Sequence, residues 1–321
     1  MPDSLLTASR LEREGRLREK LMRELGPEVL ALLADKTVVE VMLNADGALW
    51  AERAGKGMAR IGAMPAPQAE ALMATIAAAR KTAITAENPI LECELPLDGS
   101  RFEGLIPPVA AAPVFAIRKR AGVIFTLANY VASGVMSARQ RALIEAAIEA
   151  RRTILIAGGT GSGKTTLVNA VIAHLAAACP ADRLVILEDT AEIQCASENA
   201  VTLKTSETVD LRRLVRATLR LRPDRIIVGE VRGPEALDLL KAWNTGHPGG
   251  VATIHANSAT AALTRLENLI AEATAAPMQA SIAAAIDLVV SIARTPQGRR
   301  VEETIGVTGF DGVHYLTTRE D

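Results

Sequence analysis

Aromatic side chains are scarce in this sequence: two Trp, two Tyr and four Phe make up 2% of 321 residues. Sites for single-stranded nucleic acid usually stack bases on rings, so the scarcity argues against that role. It also leaves the core to Leu, Ile, Val and Ala. Cysteine is rarer still. Cys93, Cys179 and Cys195 are odd in number and far apart, and no C-x-x-C occurs. That excludes a disulfide framework and a four-thiolate zinc site, and it suits a reducing compartment. Excess charge is missing too. Lys and Arg total 36 against 37 Asp and Glu, a formal net charge of −1, so no overall positive field draws the chain to nucleic acid or anionic lipid. Long apolar runs are absent. The longest charge-free, fairly apolar stretch, Thr165–Ala181, carries Asn169 and His174 and is shorter than the ~20 residues a membrane span needs. The opening MPDSLLTASRLEREGR lacks the basic start and apolar run of a secretory signal. A cytoplasmic protein is expected, one that meets a membrane only through partners.

What is present is globular: 49% hydrophobic and 23% charged residues. Single cores rarely exceed roughly 250–300 residues, so the length predicts two domains. Residues 1–120 read as an α+β domain. A charged amphipathic helix over Arg10–Leu25 ends at Gly26-Pro27. Lys36–Leu43 and Ala48–Glu52 flank the turn Asn44-Ala45-Asp46-Gly47 as a hairpin. An alanine-rich helix over Gln68–Arg80 and strands at Arg101–Ile106 and Val114–Arg118 follow. Residues 121–134 are weakly patterned and read as a linker. From 135 to 321 the pattern changes. A helix over Ser137–Ala150 leads to apolar runs at Thr153–Ala157, Leu184–Glu188, Arg225–Gly229, Val251–Ile254 and Leu288–Ile292, with helical segments between them. Near-continuous apolar strands alternating with helices predict a doubly wound, mostly parallel α/β sheet.

The chemistry concentrates in this second half. Gly158, Gly159, Thr160, Gly161, Ser162, Gly163, Lys164 and Thr165 fit G-x-x-x-x-G-K-S/T between a predicted strand and a predicted helix. Glycines let the backbone curl into a nest of N–H donors for phosphate, and the helix N-terminus adds positive potential. Lys164 is expected on the β- and γ-phosphates and the Thr165 hydroxyl on Mg²⁺. No N-K-x-D guanine-reading segment occurs, which favours ATP. Ligands in such sheets bind at the carboxyl ends of strands. Glu230 follows the strand Arg225–Gly229 and is expected to act on the attacking water. Glu188 closes Leu184–Glu188 and is expected to reach Mg²⁺ through water, with Asp189 and Glu192 as further candidates. An acid after a strand can equally be the N-cap of the next helix. His255 follows Val251–Ile254, where it can meet a γ-phosphate. His247 precedes that strand and is also a candidate, whereas His174 and His314 read as structural.

Gly158–Thr166, Glu188-Asp189, Leu219–Gly233 (LRLRPDRIIVGEVRG) and Ala242–Ser258 (AWNTGHPGGVATIHANS) occur in that order. Together they resemble the Walker A, Asp, Walker B and His boxes of the traffic ATPases of type II and type IV secretion. VVEVMLNADGALWAERAG and LPLDGSRFEGLIPP also resemble that family's N-terminal domain, so the likeness spans nearly the whole chain. It implies a PAS-like N-terminal domain, a RecA-like ATPase domain, and a homohexamer working with inner-membrane components of a secretion machine. It further implies nucleotide-contacting roles for Thr166 and His247 and for the N-terminal arginines Arg101 (DGSRFEG) and Arg118 (FAIRKR). Type II assembly ATPases generally carry a tetracysteine module, and pilus-retraction ATPases have extra C-terminal helices. Here three scattered cysteines and an end soon after a predicted hairpin at Arg300–Gly312 favour the conjugation and type IV secretion branch. The rival readings are a type II secretion or type IV pilus ATPase, a RecA-like nucleic-acid translocase and a nucleotide-gated scaffold.

Overall fold

The computed structural model describes residues 2–53, 56–120, 124–206 and 208–319. The chain divides into two compact units, Met1–Gly122 and Val123–Asp321.

The first unit comprises α1 (Pro2–Ala34), β1 (Val38–Leu43), β2 (Ala48–Arg53), β3 (Gly57–Ala63), α2 (Ala66–Ala79), β4 (Ile90–Glu94), β5 (Arg101–Leu105) and β6 (Val114–Arg118). Its antiparallel sheet has the order β3-β2-β1-β6-β5-β4. Gly26 breaks the first helix, with φ 76° and ψ 163°. Proline is tolerated in the first turn of a helix, so Pro27 starts a second segment and α1 continues to Ala34 instead of ending. Leu21, Leu25, Val29, Leu72, Met73 and Ile76 pack on Val41, Phe102 and Ile117. One sheet face thus carries the core, and β5 and β6 show the matching alternation of buried and half-buried residues. β3 and β4 are edge strands that the sequence reading omitted. β3 buries none of its residues fully, so it has little apolar pattern to read.

The second unit comprises α3 (Leu127–Ala132), α4 (Ala138–Glu149), β7 (Ile154–Ala157), α5 (Lys164–Ala178), β8 (Leu184–Glu188), β9 (Ala200–Lys204), α6 (Leu211–Thr218) and β10 (Arg225–Val231). It continues through α7 (Glu235–Asn244), β11 (Val251–Ile254), α8 (Ala259–Ala271), α9 (Gln279–Ala285), β12 (Leu288–Thr295), β13 (Gly298–Phe310) and β14 (Tyr315–Arg319). The eight-stranded sheet runs β14-β13-β12-β7-β11-β10-β8-β9. Strands β12 through β9 in that order are parallel, and β13 and β14 are antiparallel. The mostly parallel α/β sheet expected from the sequence is present. Ile154 and Ile156 enter the core made with α3, α4 and α5. Leu155 and Ala157 enter the opposite core, made with α6 to α9. Strands covered on both faces lose their polar alternation, which is why they read as continuous apolar runs.

Two expectations change here. The stretch 121–134 contains α3, capped by a reciprocal Thr126–Asn129 box, and its Leu127 and Tyr130 are buried in the second core. Only part of that stretch is left to connect the units, and residues 121–123 lie outside the described ones. The hairpin at the chain's end is larger than Arg300–Gly312, because β13 pairs with both β12 and β14 and so extends the parallel sheet. β9, a short edge strand with no fully buried residue, joins the sheet next to β8. Among the described residues no helix is long and apolar enough to cross a membrane.

Candidate nucleotide site

β7 delivers the chain into the glycine loop at the carboxyl edge of the sheet. At Gly158 a Cβ would lie 2.4 Å from the Ile292 carbonyl oxygen and 2.5 Å from Ser162 Oγ, so the turn has room only for glycine. Gly161 and Gly163 take φ of 69° and 102°, a region that side chains rarely adopt. α5 then begins at Lys164, whose Nζ donates to the carbonyls of Gly158 at 2.8 Å and Gly159 at 3.1 Å. Ser162 is buried, and its Oγ has no hydrogen-bond partner. A Gly158→Ala variant is expected to lose about 1–3 kcal/mol of stability through overpacking and to bind nucleotide more weakly; thermal melts with and without ADP check both.

The acidic groups make different contacts. Glu188 is 3% exposed. Its Oε1 accepts from the backbone N–H groups of Glu192 at 2.9 Å and Ile193 at 2.8 Å. Asn169 of α5 accepts from Gln194 N–H at 2.9 Å and donates to the Glu192 carbonyl at 3.4 Å. These bonds hold the 189–194 loop against the phosphate-loop helix. The carboxylate that meets Thr165 is therefore that of Glu192: Thr165 Oγ1 donates to its Oε2 at 3.3 Å. Glu188 Oε1 thus anchors the loop, and Glu192 is the carboxylate in hydrogen-bond reach of Thr165.

β10 is two residues longer than expected, so Glu230 lies within the strand. The β10–β11 register shifts between Val228 and Val231, and Thr253 Oγ1 donates to the Gly229 carbonyl at 2.6 Å. Such bulges re-aim side chains beside active sites. Arg232 donates to Glu230 Oε2 from Nε at 2.7 Å and Nη2 at 2.5 Å, and from Nη1 to Asp189 at 3.5 Å. Burial alone would lower the Arg232 pKa. The hydrogen bond and charge of Glu230, reinforced by Asp189 and Glu192, hold it above the ordinary arginine value. Asp189 also accepts from Thr205 Oγ1 at 3.2 Å.

Ile254 pairs with both Ala157 and Val231, so His255 emerges, exposed, at the same sheet edge as the glycine loop and Glu230. His247 does not. Its Nδ1 lies 3.1 Å from the Pro223 carbonyl oxygen, just before β10, and the Gly250 carbonyl accepts from Ile154 N–H at the start of β7. His247 therefore belongs to the amino edge of this sheet, opposite the phosphate loop, because the loop that carries it precedes β11. In the first unit Arg101 and Arg118 are direct cross-strand partners on β5 and β6, flanked by Glu94 and Glu40.

Sequence reasoning left Arg232 and Asn169 out of the site and kept Glu192 only as a lesser candidate. Arg232 carried a signal: residues two apart on a strand share a face, so an arginine at that spacing from Glu230 was placed to grip it. Asn169 had none, since its partner loop is irregular.

Residues 24–308 match the model of the family described as type II/IV secretion system protein. The chain is 56% identical over 300 residues to a probable conjugal transfer protein TrbB of Sinorhizobium fredii, covering 94% of this chain and 92% of that one. It is 55% identical over 309 residues to the conjugal transfer protein TrbB of Rhizobium radiobacter, covering 96% of each. In fold it resembles the ATPase DotB of Legionella pneumophila, with TM-score 0.61 and 20% identity over 88% of this chain and 80% of that one. The pilus retraction motor PilT with bound ADP gives TM-score 0.63 and 18% identity over 86% and 81%. A glycine loop, two acid-bearing strands and a histidine at one sheet edge define an ATPase site. The chain belongs to the type II/IV secretion system protein family, as its four ordered boxes implied.

Proposed function

We propose that this chain is the ATP-hydrolysing motor subunit of a conjugation or type IV secretion machine. It works with Mg²⁺ as a homohexamer, held at the cytoplasmic face of the inner membrane by partner proteins. The convergence of Lys164, Thr165, Glu192, Glu230 and His255 at one sheet edge carries this reading. The conjugal transfer relatives support its direction. The residues fit the nucleotide: the positive-φ Gly161 and Gly163 curl the loop ahead of the helix N-terminus, and the buried Ser162 Oγ has no partner among the described residues.

Bound ATP supplies the phosphoryl group, and Mg²⁺ offsets its charge. Lys164 exchanges the Gly158 and Gly159 carbonyls for phosphate oxygens. Thr165 and Glu192 face the magnesium side, with Glu188 keeping their loop in place. Glu230 orients the attacking water and takes its proton, while Arg232 occupies Oε2 and keeps the carboxylate from rotating. His255 stands where it can sense the terminal phosphate.

Light scattering checks the assembly. A hexamer is expected at micromolar concentration, tighter with an ATP analogue and Mg²⁺; a monomer under both conditions would overturn the ring. Deleting the gene should abolish DNA transfer to recipient cells. Salt-sensitive DNA binding that stimulates hydrolysis would favour a nucleic-acid translocase instead.

A further inference from the structure

Two buried neutral side chains bond to the main chain of the segments that carry the acids. Thr253, on β11, is 2% exposed. Val228 of β10 pairs with Ala252 and Val231 with Ile254, so Gly229 and Glu230 together oppose the single residue Thr253. Two residues against one is a β-bulge, which disrupts the ladder and bends the strand. The Thr253 hydroxyl donates to the Gly229 carbonyl oxygen at 2.6 Å and pins the bulge one residue before Glu230. The opposite side is closed by β8: a Cβ on Gly229 would lie 3.2 Å from Glu188 Cγ. The direction in which Glu230 leaves its strand is therefore held from both neighbouring strands.

Asn169, on α5, is 1% exposed. Its amide serves the loop after β8 in both directions. Oδ1 accepts from Gln194 N–H at 2.9 Å, and Nδ2 donates to the Glu192 carbonyl at 3.4 Å. Glu188 takes the N–H groups of Glu192 and Ile193. The main chain around Glu192 is thus bonded on both sides, and its carboxylate is delivered to Thr165. Each neutral residue holds the segment of a different acid.

We infer that Thr253 and Asn169 are positioning residues with separate effects: Thr253 acts on the hydrolytic step through Glu230, and Asn169 acts on Mg²⁺ affinity through Glu192. This rests on the motor reading above and adds to it two residues that bond only to protein. A hydrogen bond that orients a base is worth about tenfold in rate. Removing a group that orients a metal-facing carboxylate costs about 10–100-fold in metal affinity.

Two measurements on the full chain test the inference: steady-state hydrolysis with ATP and Mg²⁺ varied separately, and calorimetric titration with ADP in Mg²⁺ and in EDTA. Thr253→Val keeps the shape and loses the hydroxyl. Its kcat should fall about tenfold, with KM for ATP, the Mg²⁺ requirement and ADP affinity unchanged, and Thr253→Ser should restore the rate. Asn169→Ala should raise the half-saturating Mg²⁺ by about 10–100-fold and recover kcat at saturating Mg²⁺. It should bind ADP as wild type does in EDTA, but more weakly at the Mg²⁺ concentration that half-saturates wild type. Wild-type kcat in Thr253→Val overturns the inference, and so does an unchanged Mg²⁺ requirement in Asn169→Ala. Parallel losses of kcat, Mg²⁺ affinity and ADP affinity in both variants also overturn it, since they mark a loosened fold. If Thr253→Val does not fold, Thr253→Ala against Thr253→Ser makes the same comparison. If Asn169→Ala does not fold, Asn169→Asp replaces it, keeping the acceptor for Gln194 and losing the donor to Glu192. A wild-type chain without Mg²⁺-dependent hydrolysis overturns the motor reading itself. If wild type hydrolyses ATP and both variants match it, that reading stands and only the inference fails.

Discussion

Glu230→Gln is expected to bind ATP with near wild-type affinity while turnover falls about 10²–10⁴-fold, roughly 3–5 kcal/mol of barrier. The amide keeps the shape of the side chain, so the bulge at Gly229 and Glu230 and the Thr253 bond to Gly229 remain. What is lost is the proton acceptor and the anion that Arg232 grips. Such subunits should enter rings with wild-type partners and stall them in the ATP-bound arrangement. Co-expression should therefore lower conjugation frequency more than a variant that cannot assemble. Nucleotide affinity, turnover and transfer frequency in the mixed strain check this. Wild-type turnover would move the catalytic acid elsewhere. Glu192, already on Thr165 Oγ1, would become the leading candidate, ahead of the buried Glu188. A variant dead for hydrolysis but harmless in mixed rings would leave the site standing and remove the coupled-ring mechanism.

Lys164→Ala is expected to lose nucleotide affinity and hydrolysis together, the latter by at least about 10²–10³-fold, the effect of removing one preorganised donor from developing charge. The lysine also braces the loop, because its Nζ bridges the carbonyls of Gly158 and Gly159. Its removal therefore takes away both the phosphate's cation and a brace of the loop. Arginine should not rescue it, since a planar fork does not replace a compact ammonium in that space. Single-turnover hydrolysis and fluorescent-ADP titration separate binding from chemistry. In mixed rings Lys164→Ala should inhibit less than Glu230→Gln, because it does not hold a neighbour in an ATP-bound state. Unchanged turnover would remove the glycine loop from the mechanism.

Local chemistry made much of this site legible. The glycine loop could be placed because its turn, its positive-φ positions and its lysine are consecutive residues, and their geometry follows from their own backbone preferences. The parallel strands could be placed because burial on both faces erases polar alternation, a signal carried within each run. Arg232 was within reach through the two-residue period of a strand. Edge strands β3, β4 and β9 were less legible. Pairing on one side and weak burial left them little pattern of their own.

By itself the sequence determined a phosphate loop ending in Lys164 and Thr165, an acid at Glu230, a two-part chain and a mostly parallel sheet in the second part. Each of these rests on neighbours along the chain. Only the tertiary structure decided which acid meets Thr165, since Glu188 turns inward to hold backbone N–H groups while Glu192 is carried across by the loop those bonds fix. It also decided that His255 shares an edge with the glycine loop while His247 sits at the other. Those relations depend on strand order and register. They arise from which strands pair in the folded sheet, and no segment carries that information alone.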